Sequence, residues 1–233
     1  MKNFDGKIAV VTGAGSGIGR ATALALANAG ARVAVTDVNE VSAGDSVNAI
    51  REAGGKAEAF ALDVTDLAQI DRVADEIRGT LGPPSILVNN AGIAVGSYFL
   101  DTSLESWQRI IAINLMGVVH CCRAFVPAMA ADDAEGHVVN IASMLGYTQA
   151  RSVSAYCTTK FGVLGFSESL RAELRDHGIG VSAICPGVVS TNIIRSGILE
   201  SPDEDAEDKR KTIESFYERR NYPPEKVAKA IIR

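Results

Sequence analysis

Tyr156 and Lys160 stand four residues apart in a stretch with helical periodicity, so they share one helix face. Such a pair is usually a half-buried ring beside a solvated ammonium, and it suggests chemistry only in company. Ser143 supplies some of that company. It lies thirteen residues before Tyr156, just past the apolar run His137–Ala142, which reads as a strand. In open α/β sheets, ligands bind at the carboxyl ends of strands. A second group is Thr12-Gly13-Ala14-Gly15-Ser16-Gly17-Ile18-Gly19, which joins the first apolar run to an Ala/Leu-rich helix. Its glycines allow a tight turn and close approach to a pyrophosphate, and the helix N-terminus offers free N–H groups and positive dipole. The bland alternative is a strand-to-helix turn that merely needs glycine, but the position at the first βα junction favours a dinucleotide. Gly13, Gly15, Ser16, Gly17, Ile18 and Gly19 are therefore candidate cofactor contacts, with spacing TGxxxGxG rather than GxGxxG. Asp37 ends the second apolar run, twenty residues past Gly17. A carboxylate there accepts from a ribose 2′-OH and repels a 2′-phosphate. Ser16 is neutral, Val38 follows the aspartate, and neither is the base an extra phosphate would need. The expected cofactor is NAD, with NADP disfavoured; the alternative for Asp37 is a cap on the next turn.

These residues need a scaffold, and the chain alternates as one would. Apolar strand runs at Ile8–Val11, Arg32–Asp37, Ala57–Leu62, Ile86–Val88, His137–Ala142 and Gly180–Cys185 are separated by helical stretches. The helices are expected at Ile18–Ala29, Ser42–Ala53, from a cap at Asp66 to about Arg78, Ser103–Ala130 and Ser152–Asp176. Short continuous apolar strands have both faces covered. Strict alternation predicts an α/β doubly wound parallel sheet in three layers, and no linker or repeat divides it. Residues 1–233 are thus expected to form one domain. Residues 5–187 would be the core, 188–222 a substrate loop, and 223–233 a final helix opened by Pro223-Pro224. That helix ends on Ile231-Ile232, which reads as a truncated or missing tail.

Composition narrows the function classes. The 233 residues are 47% hydrophobic and 22% charged with net charge −5, which is globular and offers no basic block for nucleic acid. The start, Met1–Lys7, lacks the apolar run of a signal peptide. The longest charge-free stretch, Gly79–Leu100, is broken by Pro83-Pro84 and four glycines, so no membrane span is expected. Cys121, Cys122, Cys157 and Cys185 form no CxxC pair, which argues against zinc and for reduced thiols in the cytoplasm. His120, His137 and His177 have no metal spacing. Six of the nine residues Glu200–Asp208 are acidic and read as a solvated segment.

Taken in order, Thr12-Gly13-x-x-x-Gly17-x-Gly19, Asp63-Val64, Asn89-Asn90-Ala91-Gly92, Asn114, Ser143, Tyr156-x-x-x-Lys160 and Pro186-Gly187 resemble the short-chain dehydrogenase/reductase superfamily over about residues 5–195. The resemblance implies a Rossmann sheet, usually with a seventh strand near the C-terminus that this chain lacks. It implies an oxidoreductase acting on a secondary alcohol or ketone, with Tyr156 as general acid or base. Lowering a tyrosine pKa from about 10 to about 7 takes roughly 4 kcal/mol, which one cation at about 4 Å supplies at an effective dielectric of ~20. Lys160 would be that cation and would bond the nicotinamide ribose. Ser143 would polarise the substrate oxygen. Asn114 would hold a relay water, the alternative being a mid-helix amide bonded to nearby backbone. Asp63 and Val64 would flank the adenine, unless Asp63 is only a strand-end cap, and Asn90, Ala91 and Gly92 would lie along the cofactor. Pro186, Gly187 and Val189 would shape the nicotinamide pocket, and Thr191 would bond the carboxamide or cap a helix.

Three other readings stay open. An epimerase or dehydratase using bound NAD usually carries a longer substrate domain. A cofactor-sensing regulator usually loses the tyrosine or lysine, both present here. A module of a longer polypeptide is the third. Early apolar residues of the substrate loop, Val188, Val189, Ile193, Ile194, Ile198 and Leu199, favour an apolar, lipid-like substrate. Apolar residues around Ser103–Ala130 and Ser152–Asp176 predict a homodimer or homotetramer paired through those helices.

Overall fold

The computed structural model describes residues 3–131, 135–193, 195–200, 211, 215 and 219–233. Ile194 and most of the acidic run, Asp203–Asp208, lie outside the described residues. Six strands form one parallel sheet: β1 Ile8–Thr12, β2 Arg32–Asp37, β3 Lys56–Ala61, β4 Ile86–Asn89, β5 Gly136–Ile141 and β6 Ile179–Ile184. Their spatial order is β3-β2-β1-β4-β5-β6, the Rossmann order, and no seventh strand occurs among the described residues. Alternation along the strands sorts the core. Ala9, Val11, Val33, Val35 and Val88 pack to one face with Leu26 of α1 (Gly17–Asn28) and Val47 of α2 (Glu40–Glu52). Val10, Leu87 and Val138 pack to the other with Ile70 of α3 (Leu67–Thr80), Phe125 of α5 (Gly117–Ala131) and Val163 of α6 (Ser154–Glu173). Helix starts carry side-chain caps where the residues allow: Asp66 accepts from Gln69 N at 3.0 Å and Asn39 from Ser42 N at 3.1 Å. The last helix, α7 (Pro224–Ile231), packs on α1, and Ile231 and Ile232 sit partly buried against that core.

The helix expected over Ser103–Ala130 is three pieces. After α4 (Leu104–Ile111), a π-helical segment, Ala112–Met116, precedes α5. This stretch, Leu104–Ala131, is the one described helix long and apolar enough to cross a membrane. Here its buried side chains, Val118, Cys121 and Phe125, belong to the core instead.

That burial accounts for part of the apolar circumference of these helices. Val118, Cys121, Cys122, Phe125 and Val126, and in α6 Ala155 and Val163, are buried within the chain itself. Among the described residues of these helices, Phe161 (46% exposed), Met116 (39%) and Leu104 (72%) remain uncovered. Helical periodicity alone cannot reveal that α3 and the loop after β4 cover the other sides.

Candidate active site

The sheet order reverses direction between β1 and β4, and their carboxyl ends open a crevice there. Asn90 pins the crevice, donating through Nδ2 to the Thr12 and Gly13 carbonyls at 2.9 Å each. Thr12 Oγ1 in turn accepts from Asn90 N at 3.0 Å and Ala91 N at 3.1 Å. Thr12 thus couples the two strands, a role that its place in the glycine motif did not disclose. Gly13 has φ +61, and a Cβ there would stand 2.8 Å from Ala91 Cα. A Cβ on Gly19 would run into the Gly13 carbonyl and the Asn90 amide. The glycines are therefore required by backbone packing, and the packing leaves the start of α1 facing the crevice. Ser16, its N-cap, makes no side-chain cap bond.

A cavity of about 1480 Å³ runs from this crevice toward α6. Gly13, Ser16, Gly17 and Ile18 line it, as do Asp37, Val38, Asp63 and Val64. Asn90, Ala91 and Gly92 follow along the wall. At the far end it meets Ser143, Tyr156 and Lys160, then Pro186, Gly187, Val189 and Thr191. Three expected residues stay out of the lining: Gly15, Gly19 and Asn114. Gly15 acts from behind, donating its N–H to Asp37 Oδ2 at 2.9 Å. The other Asp37 oxygen accepts from Asn39 N at 2.9 Å, so the cap and the crevice-facing carboxylate coexist. Asp63 likewise takes its turn, accepting from Thr65 N at 2.9 Å and Thr65 Oγ1 at 2.7 Å. Thr191 sits across from the glycine loop, where a Cβ on Gly17 would lie 3.3 Å from its methyl.

Asn114 departs from its expected part. It is fully buried in the π segment, its Oδ1 accepting from Ile93 N at 2.8 Å and its Nδ2 donating to Ile93 O at 2.9 Å. The alternative, an amide bonded to backbone, is therefore the arrangement found. Both of its polar atoms bond the Ile93 backbone. Its second contact, to Thr159 Oγ1 at 3.4 Å, reaches α6 one turn past Tyr156, whose carbonyl accepts from Thr159 at 2.8 Å.

Tyr156 is half-buried, packed with Val95, Ile110 and Ala155. Lys160 is buried, its Nζ 5.6 Å from the Tyr156 ring centroid and donating to the Ile141 carbonyl at 2.8 Å. Burial pushes its pKa down to about 8, with the Cys185 thiol opposing, so the ammonium is still mostly charged at neutral pH. Cys185 follows β6, and burial pushes its thiol up against the Ser143 backbone, the Tyr147 hydroxyl and the Lys160 charge, which pull it down. Ser143 is buried and caps a 3-10 turn, Met144–Gly146, accepting from Leu145 N at 3.1 Å, which leaves its proton free to donate. Behind the site Asn89 braces the sheet, donating to Asn140 Oδ1 at 2.8 Å, and Asn140 donates to Ser167 at 2.9 Å. The histidines play structural parts: His137 Nε2 contacts Ser182 Oγ at 2.9 Å and His120 Nδ1 the Val64 carbonyl at 3.3 Å.

Known proteins share both sequence and fold. The short chain dehydrogenase family model matches residues 7–199. A Mycobacterium tuberculosis protein named "Probable oxidoreductase EphD" is 43% identical over 232 residues, 98% of this chain but 39% of that protein, so the chain spans about two fifths of its length. The crystal structure of a short chain dehydrogenase/reductase from Burkholderia phymatum in complex with NAD superposes with a TM-score of 0.91 at 31% identity, covering 98% of this chain and 85% of that one. A metagenomic short-chain oxidoreductase in complex with NADP gives 0.78 at 31% identity, covering 97% and 89%. Motif order, strand order and these likenesses converge: the chain belongs to the short-chain dehydrogenase/reductase family and folds as a Rossmann-like sheet.

Proposed function

We propose that the chain transfers a hydride between NAD(H) and a secondary alcohol or ketone, with Tyr156 as the proton donor or acceptor. The observation that carries this is one cavity that starts at Asp37, passes the uncapped start of α1 and ends at Ser143, Tyr156 and Lys160. The cavity fits a dinucleotide: the N–H groups at the head of α1 suit a pyrophosphate, and the Asp37 carboxylate suits a ribose diol. Asp63 and Val64 flank the adenine end, while Lys160 lies beside the nicotinamide end. When bound, the nicotinamide supplies or accepts the hydride. Ser143 donates its proton to the substrate oxygen and orients it. Tyr156 gives that oxygen a proton in reduction and takes one in oxidation. Lys160 holds positive charge beside the ring and favours the phenolate. Asn114 is a positioning residue that ties the loop after β4 to α6 through Ile93 and Thr159.

On this reading NAD is the preferred form, because a carboxylate at the end of β2 suits a ribose diol and repels a 2′-phosphate. The expected result is a higher kcat/KM with NADH than with NADPH on one carbonyl substrate. Equal or better use of NADPH would refute the Asp37 argument. The far end is walled by Val95, Val188, Val189, Ile198 and Leu199, which suits an apolar alcohol or ketone. A second reading, favoured by the length of EphD, is that this unit is the dehydrogenase part of a longer protein acting on such a substrate. The four free cysteines suit the cytoplasm, and recovery of the protein from an oxidising compartment would speak against it.

The chain also pairs through α4–α6, on the narrower support of exposed Phe161, Met116 and Leu104. Light scattering at micromolar concentration should give two or four chain masses, and a mass near 24.5 kDa would exclude the pairing.

A further inference from the structure

The acidic stretch opens with a residue that is not simply solvated. Beyond Gly187 the chain returns over the substrate end of the cavity and pairs with the loop after β4. Ile198 N donates to Ala94 O and Gly96 N to Ile198 O, both at 2.9 Å, in a single parallel bridge between Val95 and Ile198. Two residues on, Glu200 N donates to Ser97 Oγ at 2.8 Å. Its carboxylate then reaches the head of α4. Oε2 accepts from Ser103 N at 2.7 Å, and Oε1 accepts from Ser103 Oγ at 2.7 Å and Ser106 Oγ at 2.8 Å. Ser103 is the N-cap of α4, so Glu200 places its charge at the positive end of that helix. The Ser103 hydroxyl, then the Ser103 amide, hold its carboxyl below the usual carboxylate range.

These bonds join segments about a hundred residues apart in sequence. Beside them, a bridge of two backbone hydrogen bonds at the rim, Gly96 N to Ile198 O and Ile198 N to Ala94 O, holds the two segments together. The side chains so placed are apolar: Val95, Ile198 and Leu199 line the cavity beside Glu200.

We propose that Glu200 is a latch that fastens the substrate loop to the head of α4 and so fixes the apolar wall that positions the part of the substrate remote from the reacting carbon. This rests on the oxidoreductase reading above and adds a positioning residue to it. Contacts to remote groups serve to orient the reacting centre, and a loose wall weakens them. Glu200 touches neither the cofactor end nor the Ser143–Tyr156–Lys160 group, so its effect is confined to substrates long enough to reach the wall and spares the cofactor.

The test compares wild type, Glu200→Gln and Glu200→Ala in the full chain by three readouts. These are NADH affinity, KM and kcat over a series of methyl ketones of rising chain length, and amide exchange in 94–97 and 195–200. Glu200→Ala should lower kcat/KM for the longer ketones about ten-fold and speed exchange in both segments about as much, the scale of losing a charge-assisted hydrogen-bond group. NADH affinity and kcat/KM for the shortest ketone should stay within about two-fold, and Glu200→Gln should fall between, because its amide oxygen still accepts but carries no charge. Unchanged exchange overturns the latch. Faster exchange with kcat/KM unchanged across the series overturns the positioning role, and an equal loss of NADH affinity shows a general loss of structure and overturns both. If wild type neither binds NADH nor reduces any ketone, the oxidoreductase reading fails, and exchange alone still decides whether Glu200 fastens the loop.

Discussion

Replacing Tyr156 with phenylalanine should lower turnover by at least the ~10²-fold typical of losing a general acid–base group, with NADH affinity nearly unchanged. The substitution removes one hydroxyl and keeps the ring that packs in this position. Val95, Ile110 and Ala155 pack around that position, and buried Ala155 and Cys157 anchor the helix on either side. The dinucleotide end of the cavity, from Gly13 to Asp63, touches none of these groups, so binding should survive. Steady-state kinetics with NADH and a ketone, beside fluorescence titration of NADH, separates the two effects. Near-normal turnover would remove Tyr156 from the mechanism; lost NADH binding would show that its hydroxyl acts on the cofactor.

Lys160→Met should have a second large effect with a distinct pH signature. On activity, the variant loses the charge that favours the phenolate and the donor nearest the nicotinamide end, so turnover should fall by about 10² and NADH affinity should weaken as well. On stability the sign is opposite. The folded-state pKa of Lys160 lies below its ordinary 10.5, at about 8, because burial penalises the charge. Between these values the unfolded chain holds a proton that the folded chain has released, so wild-type stability rises with pH through that window. At neutral pH the buried charge costs about 3 kcal/mol. Methionine escapes that cost but leaves the Ile141 carbonyl without its donor, a loss of about 1–3 kcal/mol. The variant should therefore be as stable as wild type or more so near pH 7, and wild type should gain on it as pH climbs from 8 toward 10.5. Thermal melts across that range test this; a constant difference between the two proteins would mean that Lys160 is not buried as a cation.

Much of this was legible in the sequence because the central strands β1 and β4 are apolar on both faces and Gly13 and Gly19 stand against backbone that leaves no room for a Cβ. The six strands fall within a residue or so of their expected ends, and the crevice contains most of the residues expected to line it. What escaped depends on contacts between distant segments. The π segment at Ala112–Met116 has no composition of its own; it sits where Asn114 turns inward to clamp Ile93, and only the fold brings that backbone within reach. Glu200 looked like the first residue of a solvated acidic run because its partners, Ser103 and Ser106, lie 97 and 94 residues away. Periodicity likewise shows that the apolar sides of α5 and α6 need cover but not what covers them: Val118, Cys121 and Phe125 are buried within the chain, whereas Phe161 of α6 is left 46% exposed.

The most direct test of hydride transfer at this site is to supply NADH deuterated at the transferring position of nicotinamide C4, with an apolar ketone, and to locate the label in the product by mass spectrometry. Wild type should yield the secondary alcohol with deuterium on the carbinol carbon, and Tyr156→Phe should yield far less of the same labelled product. An alcohol formed without the label, or no turnover across a panel of secondary alcohols and ketones with either nicotinamide cofactor, would contradict the assignment.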